Sequence, residues 1–441
     1  MMKMASNKQT SYVFVPGKNW KLSLAEVAAF LETRKCQFKI ADLSKSFFTL
    51  TVEEALEPSL IGDLGGIIKI GWVMSRLSSE TVVNAFLYAK KQAQEETEEE
   101  LSADYVADEA FKASSKKCVF GVSLYFEGRQ FLRHAKEMQR FMGNYFKGEL
   151  ASRGVKARFM GFPRNRKLPQ LTHVEVLKKG LIEKSAEILF CVGREQTYVA
   201  KTIAVHNPFE FQKRDVERPV QRKIFSIPPR LAKIMANLSS CAPGKVLLDP
   251  FCGVGTILQE AMLTKAQVIG IDINPWCVKA SYTNLAWLKD EYKIEDRRYT
   301  VLLGDSRRLT DKVDVDSVDC IATEPDLGPA LRHLPTESYA RGIAGKLKPL
   351  YGSFLEGAYR VLKGGGKLVI TSPYIRTRSG TFVTLSIEEE AERIGFSSSC
   401  PIERRFFVNE TSLTEDLANM SSFVDIEERH KIGREIHVLQ K

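Results

Sequence analysis

Val246-Leu-Leu-Asp-Pro-Phe-Cys-Gly-Val-Gly-Thr256 reads as a buried strand that runs into a glycine turn and then a helix. Val246 to Leu248 form the short apolar run that a strand covered on both faces needs, and Pro250 ends it because proline has no N–H for a central ladder. Gly253 and Gly255 permit a tight turn with close backbone approach, and Thr256 to Leu263 have a helical composition. Such a turn seats a nucleotide-like cofactor. By itself it fits a bare turn equally well, because Leu258 stands where the G-x-G-x-x-G fingerprint requires its third glycine.

The strands that follow repeat the pattern. Val268-Ile-Gly-Ile-Asp272 ends in an acid 23 residues after Asp249, close to the spacing of a ribose-binding carboxylate in a βαβ nucleotide site. Val301-Leu-Leu-Gly-Asp305 ends in another, placed to accept an amino proton from an adenine. Val318-Asp-Cys-Ile-Ala-Thr323 runs directly into Glu324-Pro-Asp-Leu-Gly-Pro329. Any one of these acids serves equally as a cap or turn residue, but four exits in one register point to a nucleoside site at the carboxyl edge of a parallel sheet. A helix end and glycine turn from Tyr359, a fifth strand to Ile370 and a last strand at Ile436 to Leu439 complete the C-terminal half.

The remaining sequence bounds the partners. A chain of 441 residues exceeds one ordinary core and calls for two or three domains. The net charge of +10 hints at a polyanion, and its distribution says more than its total. Between Ala151 and Gly180, Arg153, Lys156, Arg158, Arg164, Arg166, Lys167, Lys178 and Lys179 face the single acid Glu175. That window suits phosphate contact, with a solvated face as the plain alternative. The eight cysteines lie in no C-x-x-C pair or zinc spacing, so a reducing compartment and no metal are expected. With a polar N-terminus and no apolar run long enough to span a bilayer, a cytosolic protein is expected.

Upstream, Tyr12 to Val15, a helix from Ser23 to about Leu31 opened by the capping box Ser23-Leu-Ala-Glu26, and strands at Phe38 to Ile40, Phe47 to Val52 and Ile67 to Val73 suit a small ferredoxin-like α+β domain. The acidic run between Lys91 and Tyr105 reads as a solvated helix face or a connection. Cys118 to Phe126, a helix from about Leu132 to Ser152, Lys156 to Met160, a helix from Val174 to Ser185, and strands at Ile188 to Val192 and Tyr198 to His206 form a second α+β unit. Asn207 to Pro229, rich in proline and basic residues, reads as a linker before a helix through Arg230 to Leu238.

Asp249-Pro-Phe-Cys-Gly-Val-Gly-Thr256, Gly270-Ile-Asp-Ile273 and Gly304-Asp305 resemble the S-adenosylmethionine site of class I methyltransferases. With Tyr12 to Lys18, Leu22 to Glu26, Leu64 to Gly71, Thr202 to His206, Arg214-Asp215, Arg218-Pro219, Ile227 to Ala232 and Gly433 to Ile436, the chain resembles the THUMP-containing tRNA guanine-N2 methyltransferases that act on tRNA guanine 10. The resemblance implies an α/β protein: a Rossmann-like class I methyltransferase domain at 227–441, with a seven-stranded, mostly parallel sheet. A ferredoxin-like domain at 1–110, a THUMP domain at 111–207 and a linker at 208–226 would precede it. It implies S-adenosylmethionine held by Asp249, Phe251, Cys252, Gly253, Gly255, Thr256, Asp272, Ile273, Asp305 and Ser306. It implies tRNA held through Arg153, Arg158, Arg164, Arg166, Lys167 and Lys178, in a monomer for which an activating subunit is left open.

The family places an acid-Pro-Pro-aromatic motif after the fourth strand. Here Glu324-Pro325-Asp326-Leu327 stands there, with Glu for Asp and Leu for the base-stacking aromatic. An aromatic amine is a poor nucleophile because its lone pair is delocalised, so the site must accept its N–H groups and align its nitrogen. Glu324 and the Pro325 carbonyl are the catalytic candidates for that work. Asp326, Leu327 and Tyr374 are candidates to touch the base, with Tyr374 supplying the missing stacking face. Two readings stay open beside it: an amino-methyltransferase acting on another RNA or DNA base, and a non-catalytic RNA-binding protein with a vestigial cofactor fold. A nicotinamide dehydrogenase lacks both the third glycine and a hydride-handling constellation.

Overall fold

The computed structural model describes residues 9–102, 111, 117–161, 168–183, 186–222, 226–295 and 299–441. Thr10–Pro16 (β1) is apolar along most of its length and buried at six of its seven positions, as a strand covered on both faces must be. It pairs antiparallel with Phe48–Val52 (β3) and Ile67–Ser78 (β4), and Phe38–Leu43 (β2) adds an outer strand on β3. Lys117–Phe126 (β5), Lys156–Phe159 (β6), Ala186–Val192 (β7) and Gln196–Val205 (β8) form the second unit.

The two α+β units share a ladder. β4 and β8 pair antiparallel from Lys69 opposite Val205 to Ser78 opposite Gln196, giving one eight-stranded sheet in the order β2-β3-β1-β4-β8-β7-β5-β6. A buried polar row crosses the seam. The Glu187 carboxylate on β7 pairs with Lys69 of β4 and accepts from Thr202 Oγ1 of β8 at 2.7 Å and Ser123 Oγ of β5 at 2.5 Å. Removing one member would strand the others without water, so the row specifies this pairing as well as supporting it.

The C-terminal half carries Val246–Asp249 (β9), Gln267–Asp272 (β10), Tyr299–Leu303 (β11), Val318–Thr323 (β12), Leu362–Arg376 (β13), Phe382–Val383 (β14), Ser397–Ser398 (β15), Ser422–Asp425 (β16) and Ile432–Gln440 (β17). The main path is β11-β10-β9-β12-β13-β17-β15: seven strands, the first five parallel and β17 antiparallel to β13. β14 and β16 attach to β13 and β17. The expected glycine turn before the fifth strand is absorbed into β13, which begins at Leu362, directly after the Glu337–Val361 helix. No described helix is long and apolar enough to cross a membrane.

Three local expectations change. The first helix starts at Trp20 with Asn19 as its cap, so Ser23 and Glu26 are interior residues and form no capping box. Asn207 to Pro229 is no slack tether: Pro208–Val216 is helical, and Arg214 and Arg218 are buried against the C-terminal domain. The helix expected from Val174 spans only His173–Lys178, where Thr172 and Glu175 form a true capping box.

Glu26 shows why the first of these changed. Its carboxylate is fully buried and accepts from Gly65 N–H and Gly66 N–H, each at 2.7 Å, and from Asn237 Nδ2 at 2.8 Å. Asn237 belongs to the Pro229–Leu238 helix of the C-terminal domain, and Arg230 of that helix donates from Nε to the Gly65 carbonyl at 2.6 Å. A Cβ at position 65 would stand 2.1 Å from the Arg230 carbonyl oxygen, so only glycine lets the chains approach this closely. One apolar cluster runs across the same junction, from Tyr12 and Phe30 to Met235, Leu247 and Val438. Burial pushes the Glu26 carboxyl up to about 6, while its three hydrogen bonds pull it back. Glu26→Gln faces an N–H donor with an amide N–H, so it should lower the unfolding free energy by roughly 1–3 kcal/mol in urea titrations.

Candidate active site

The loop after β9 is fixed from both sides. Asp249 is buried, and its Oδ1 accepts from Phe251 N–H at 3.2 Å and from Thr323 Oγ1, at the end of β12, at 2.7 Å. Gly255 adopts φ 87° and ends the turn, and Ser281 Oγ lies 2.6 Å from where a Cβ would be. Gly253 N–H donates to Asp272 Oδ2 at 2.9 Å, and Asn274 N–H to Oδ1 at 2.8 Å. With the Cys277 thiol also at this carboxylate, Asp272 still has lone-pair capacity for a further donor, as a carboxylate meeting a ribose requires.

The loop and Asp272 border a cavity of about 370 Å³. Asp249, Phe251, Cys252, Gly253, Thr256 and Asp272 form one side, and Glu324, Pro325, Asp326 and Leu327 another. The sequence-derived donor loop and acceptor motif thus meet at one opening. Burial pushes the Asp249 carboxyl up to about 7; hydrogen bonds from Thr323 and Phe251 oppose the rise, and the Asp272 and Glu324 charges add to it.

Other expected residues lie elsewhere. Gly255, Ile273, Asp305 and Ser306 are outside the cavity lining, Gly255 serving to turn the backbone. Ile273 is exposed, and Asp305 caps the Ser306–Asp311 turn by accepting Arg307 N–H at 3.0 Å while pairing with the Arg307 guanidinium at 2.5 Å. Tyr374 sits opposite Gly433 in the β13–β17 ladder, one position from the Pro373–Arg434 pair, so it faces away from Arg434. It stacks on Phe382 at 4.4 Å between ring centres. Arg158 and Lys178 are exposed and Arg153 pairs with Glu149 at 3.6 Å, while Arg164, Arg166 and Lys167 lie outside the described residues.

Sequence reading missed two contributors. Arg434 of β17 lines the cavity and clasps Glu324, Nε to Oε2 at 2.5 Å and Nη2 to Oε1 at 3.1 Å. Only pairing across the sheet brings residues 110 positions apart together, and no local motif announces it. The connecting segment is the other contributor. Arg222, Ser226 and Ile227 line the same cavity, and Arg218 Nη1 donates to Thr256 Oγ1 at 2.7 Å. Arg214 holds Glu260 at 2.6 Å, and Lys233 reaches the same carboxylate at 3.2 Å.

A mostly parallel sheet with a reversed β17, a glycine loop after β9 and an acid at the end of β10 has the form of a Rossmann-like α/β domain, whose ligands bind at the strand carboxyl ends. More narrowly, residues 218–378 match the family described as RMKL-like, methyltransferase domain. The tRNA (guanine(10)-N2)-dimethyltransferase of Methanothermobacter thermautotrophicus is 36% identical over 161 residues, 36% of this chain and 42% of that protein. The Pyrococcus abyssi protein of the same name is 30% identical over 226 residues, 51% of this chain and 60% of that protein. The chain thus matches less than two thirds of the length of either relative. TrmN from Thermus thermophilus has a similar fold, with a TM-score of 0.50 and 17% identity over 98% of this chain and 99% of that one.

Family and fold imply S-adenosylmethionine as the methyl donor, and the residues present fit it. A Cβ at Gly253 would meet nothing within 4 Å, so the loop opens onto free space, and the Asp272 oxygens can accept further donors. Asp272→Ala should weaken donor binding by about 10- to 100-fold in calorimetry, the loss of charge-assisted hydrogen bonds. An acid near pH 7 is ionised more fully beside a cation, so affinity for the sulfonium donor should rise as pH increases through 7. Affinity for uncharged-sulfur S-adenosylhomocysteine should change less, and Asp249→Asn should remove the difference.

Proposed function

We propose that the chain is a tRNA methyltransferase that methylates the exocyclic N2 amine of a guanine, at position 10. The observation that carries this reading is the single cavity lined by both Asp272 and Glu324-Pro325. A ribose acid and an amine-accepting motif at one opening suit transfer to an aromatic amine. The guanine target and its position follow the relatives, which are tRNA (guanine(10)-N2)-dimethyltransferases by name. The match of 218–378 to a methyltransferase domain supports the enzyme over a vestigial fold.

S-adenosylmethionine supplies an electrophilic methyl group when bound. The chain holds it with the loop from Asp249 to Thr256 and with Asp272. Glu324 and the Pro325 carbonyl accept the two N–H groups of the acceptor amine and aim its nitrogen. Such a base must leave its stack to reach a recessed site. We assign 1–110 to the ferredoxin-like domain, 111–207 to the THUMP domain, 208–226 to the connection and 227–441 to the methyltransferase domain. Arg158, on the edge strand β6 of the eight-stranded sheet, and Lys178, at the end of the His173–Lys178 helix, are exposed and suit tRNA phosphates. Eight free cysteines suit a cytosolic location, and the protein works as a monomer unless an activating subunit joins it.

Incubating unmodified tRNA with labelled S-adenosylmethionine, followed by nucleoside mass spectrometry, tests the reading. N2-methylated guanosine is expected, and it should vanish when guanine 10 is replaced by adenine. Glu324→Gln should lower kcat by roughly 100-fold or more while donor affinity stays within a few fold, because the carboxylate acts on the acceptor. Methylation of another base, or full activity in that variant, would overturn it.

A further inference from the structure

The Glu324–Arg434 pair occupies the acceptor side of the cavity, and its geometry bears on which edge of a base can enter. Both side chains are mostly buried, at 13% and 17% exposure, and both line the opening. Arg434 spends Nε and Nη2 on the two Glu324 oxygens, at 2.5 and 3.1 Å. Among the described residues Nη2 donates only to Oε1, so its second N–H stands uncommitted next to that oxygen, and each carboxylate oxygen still has a lone pair to offer. The pair therefore presents an acceptor beside a donor in one rigid fork.

We propose that Arg434 selects the edge of the acceptor base by donating to the unprotonated ring nitrogen beside the amine that Glu324 receives. This rests on the guanine-N2 reading and deepens it. The N2 amine of guanine has two ring neighbours: N3, which accepts a hydrogen bond, and N1–H, which donates one. An acceptor–donor fork is complementary to N2–H with N3. Turned the other way, N1–H meets the guanidinium as donor against donor, between side chains that are mostly buried. The fork thus brings guanine in by its N2–N3 edge and leaves N1–H and O6 pointing outward. The same complementarity fits the amine and neighbouring ring nitrogen of adenine or cytosine, so Arg434 chooses the edge and other contacts choose the base. The pairing also makes sense of Glu324 where the resemblance expects Asp, since the longer arm meets a guanidinium anchored on β17, which β13 separates from β12 in the sheet.

The test uses the full-length protein and tRNA carrying either guanosine or 3-deazaguanosine at the target position, with methyl incorporation read as kcat/KM. The wild-type protein should lose about 10- to 100-fold on the 3-deaza substrate, the cost of leaving a buried donor unmet. Arg434→Ala should be impaired on guanosine and lose less than about 3-fold more on 3-deazaguanosine, because the interaction is already gone. Arg434→Lys keeps a cation beside Glu324 but not the fork, and should be similarly indifferent to N3. If Arg434→Ala does not fold, the wild-type comparison and the lysine variant still decide. Equal wild-type rates on the two substrates, or losses that multiply in the variants, would overturn the role of Arg434 while leaving guanine methylation intact. No transfer to the guanosine tRNA at all would instead overturn the reading on which this role rests.

Discussion

The parallel register of β9 with its two neighbours is the constraint from which the site follows. Asp249 lies opposite Gly270 of β10, and Leu248 opposite Ile321 of β12, so the three strands leave the sheet at one level. Their exits then place a glycine loop, Asp272 and Glu324 around one opening. Parallel strands joined by helical crossovers put their carboxyl ends on one edge, and ligands collect there because backbone N–H groups and loop side chains converge outside the last hydrogen bond of the ladder. The hydrogen bond from Thr323 to Asp249 ties two of those exits together before any ligand enters.

A second constraint ties the N-terminal sheet to this edge. Glu26 accepts from the Gly65-Gly66 turn and from Asn237 of the C-terminal domain, and the apolar cluster around it is continuous across the junction. The connecting segment is pinned too, through Arg214 and Lys233 on Glu260 and through Arg218 on Thr256. Buried charges with several fixed partners have little freedom to shift, since any displacement leaves one of them unpaired away from water. The β6 edge, where Arg158 lies, thus belongs to a sheet that is welded to the C-terminal domain. A polyanion gripped there would meet the cavity in a set orientation.

Local pattern was enough for much of the fold. Thr256–Leu263 and Val318–Thr323 coincide with their sequence-derived bounds because a glycine turn, a run of apolar residues and a proline mark them sharply. The capping box at Ser23 failed because its residues were recruited inward: a serine and a glutamate three apart satisfy the local rule, yet both serve a turn some forty residues away. The fused ladder of β4 and β8 was not legible for a similar reason. Both strands read as ordinary members of separate units, and nothing in a strand's own residues names the partner for its free edge.

The sequence by itself determined the first five strands of the C-terminal half and its last, the glycine loop and the acids at the strand exits. These depend on chain-local properties: where proline stops a ladder, where glycine permits a turn, where apolar runs break. Tertiary structure decided which of those acids share the cavity and what they face there. It left Asp305 paired with Arg307 and turned Tyr374 away from Arg434. It also set Arg434, 110 residues distant, against Glu324. Partners across a sheet are chosen by packing and register summed over the whole domain, and that sum is not written in any single stretch of the chain.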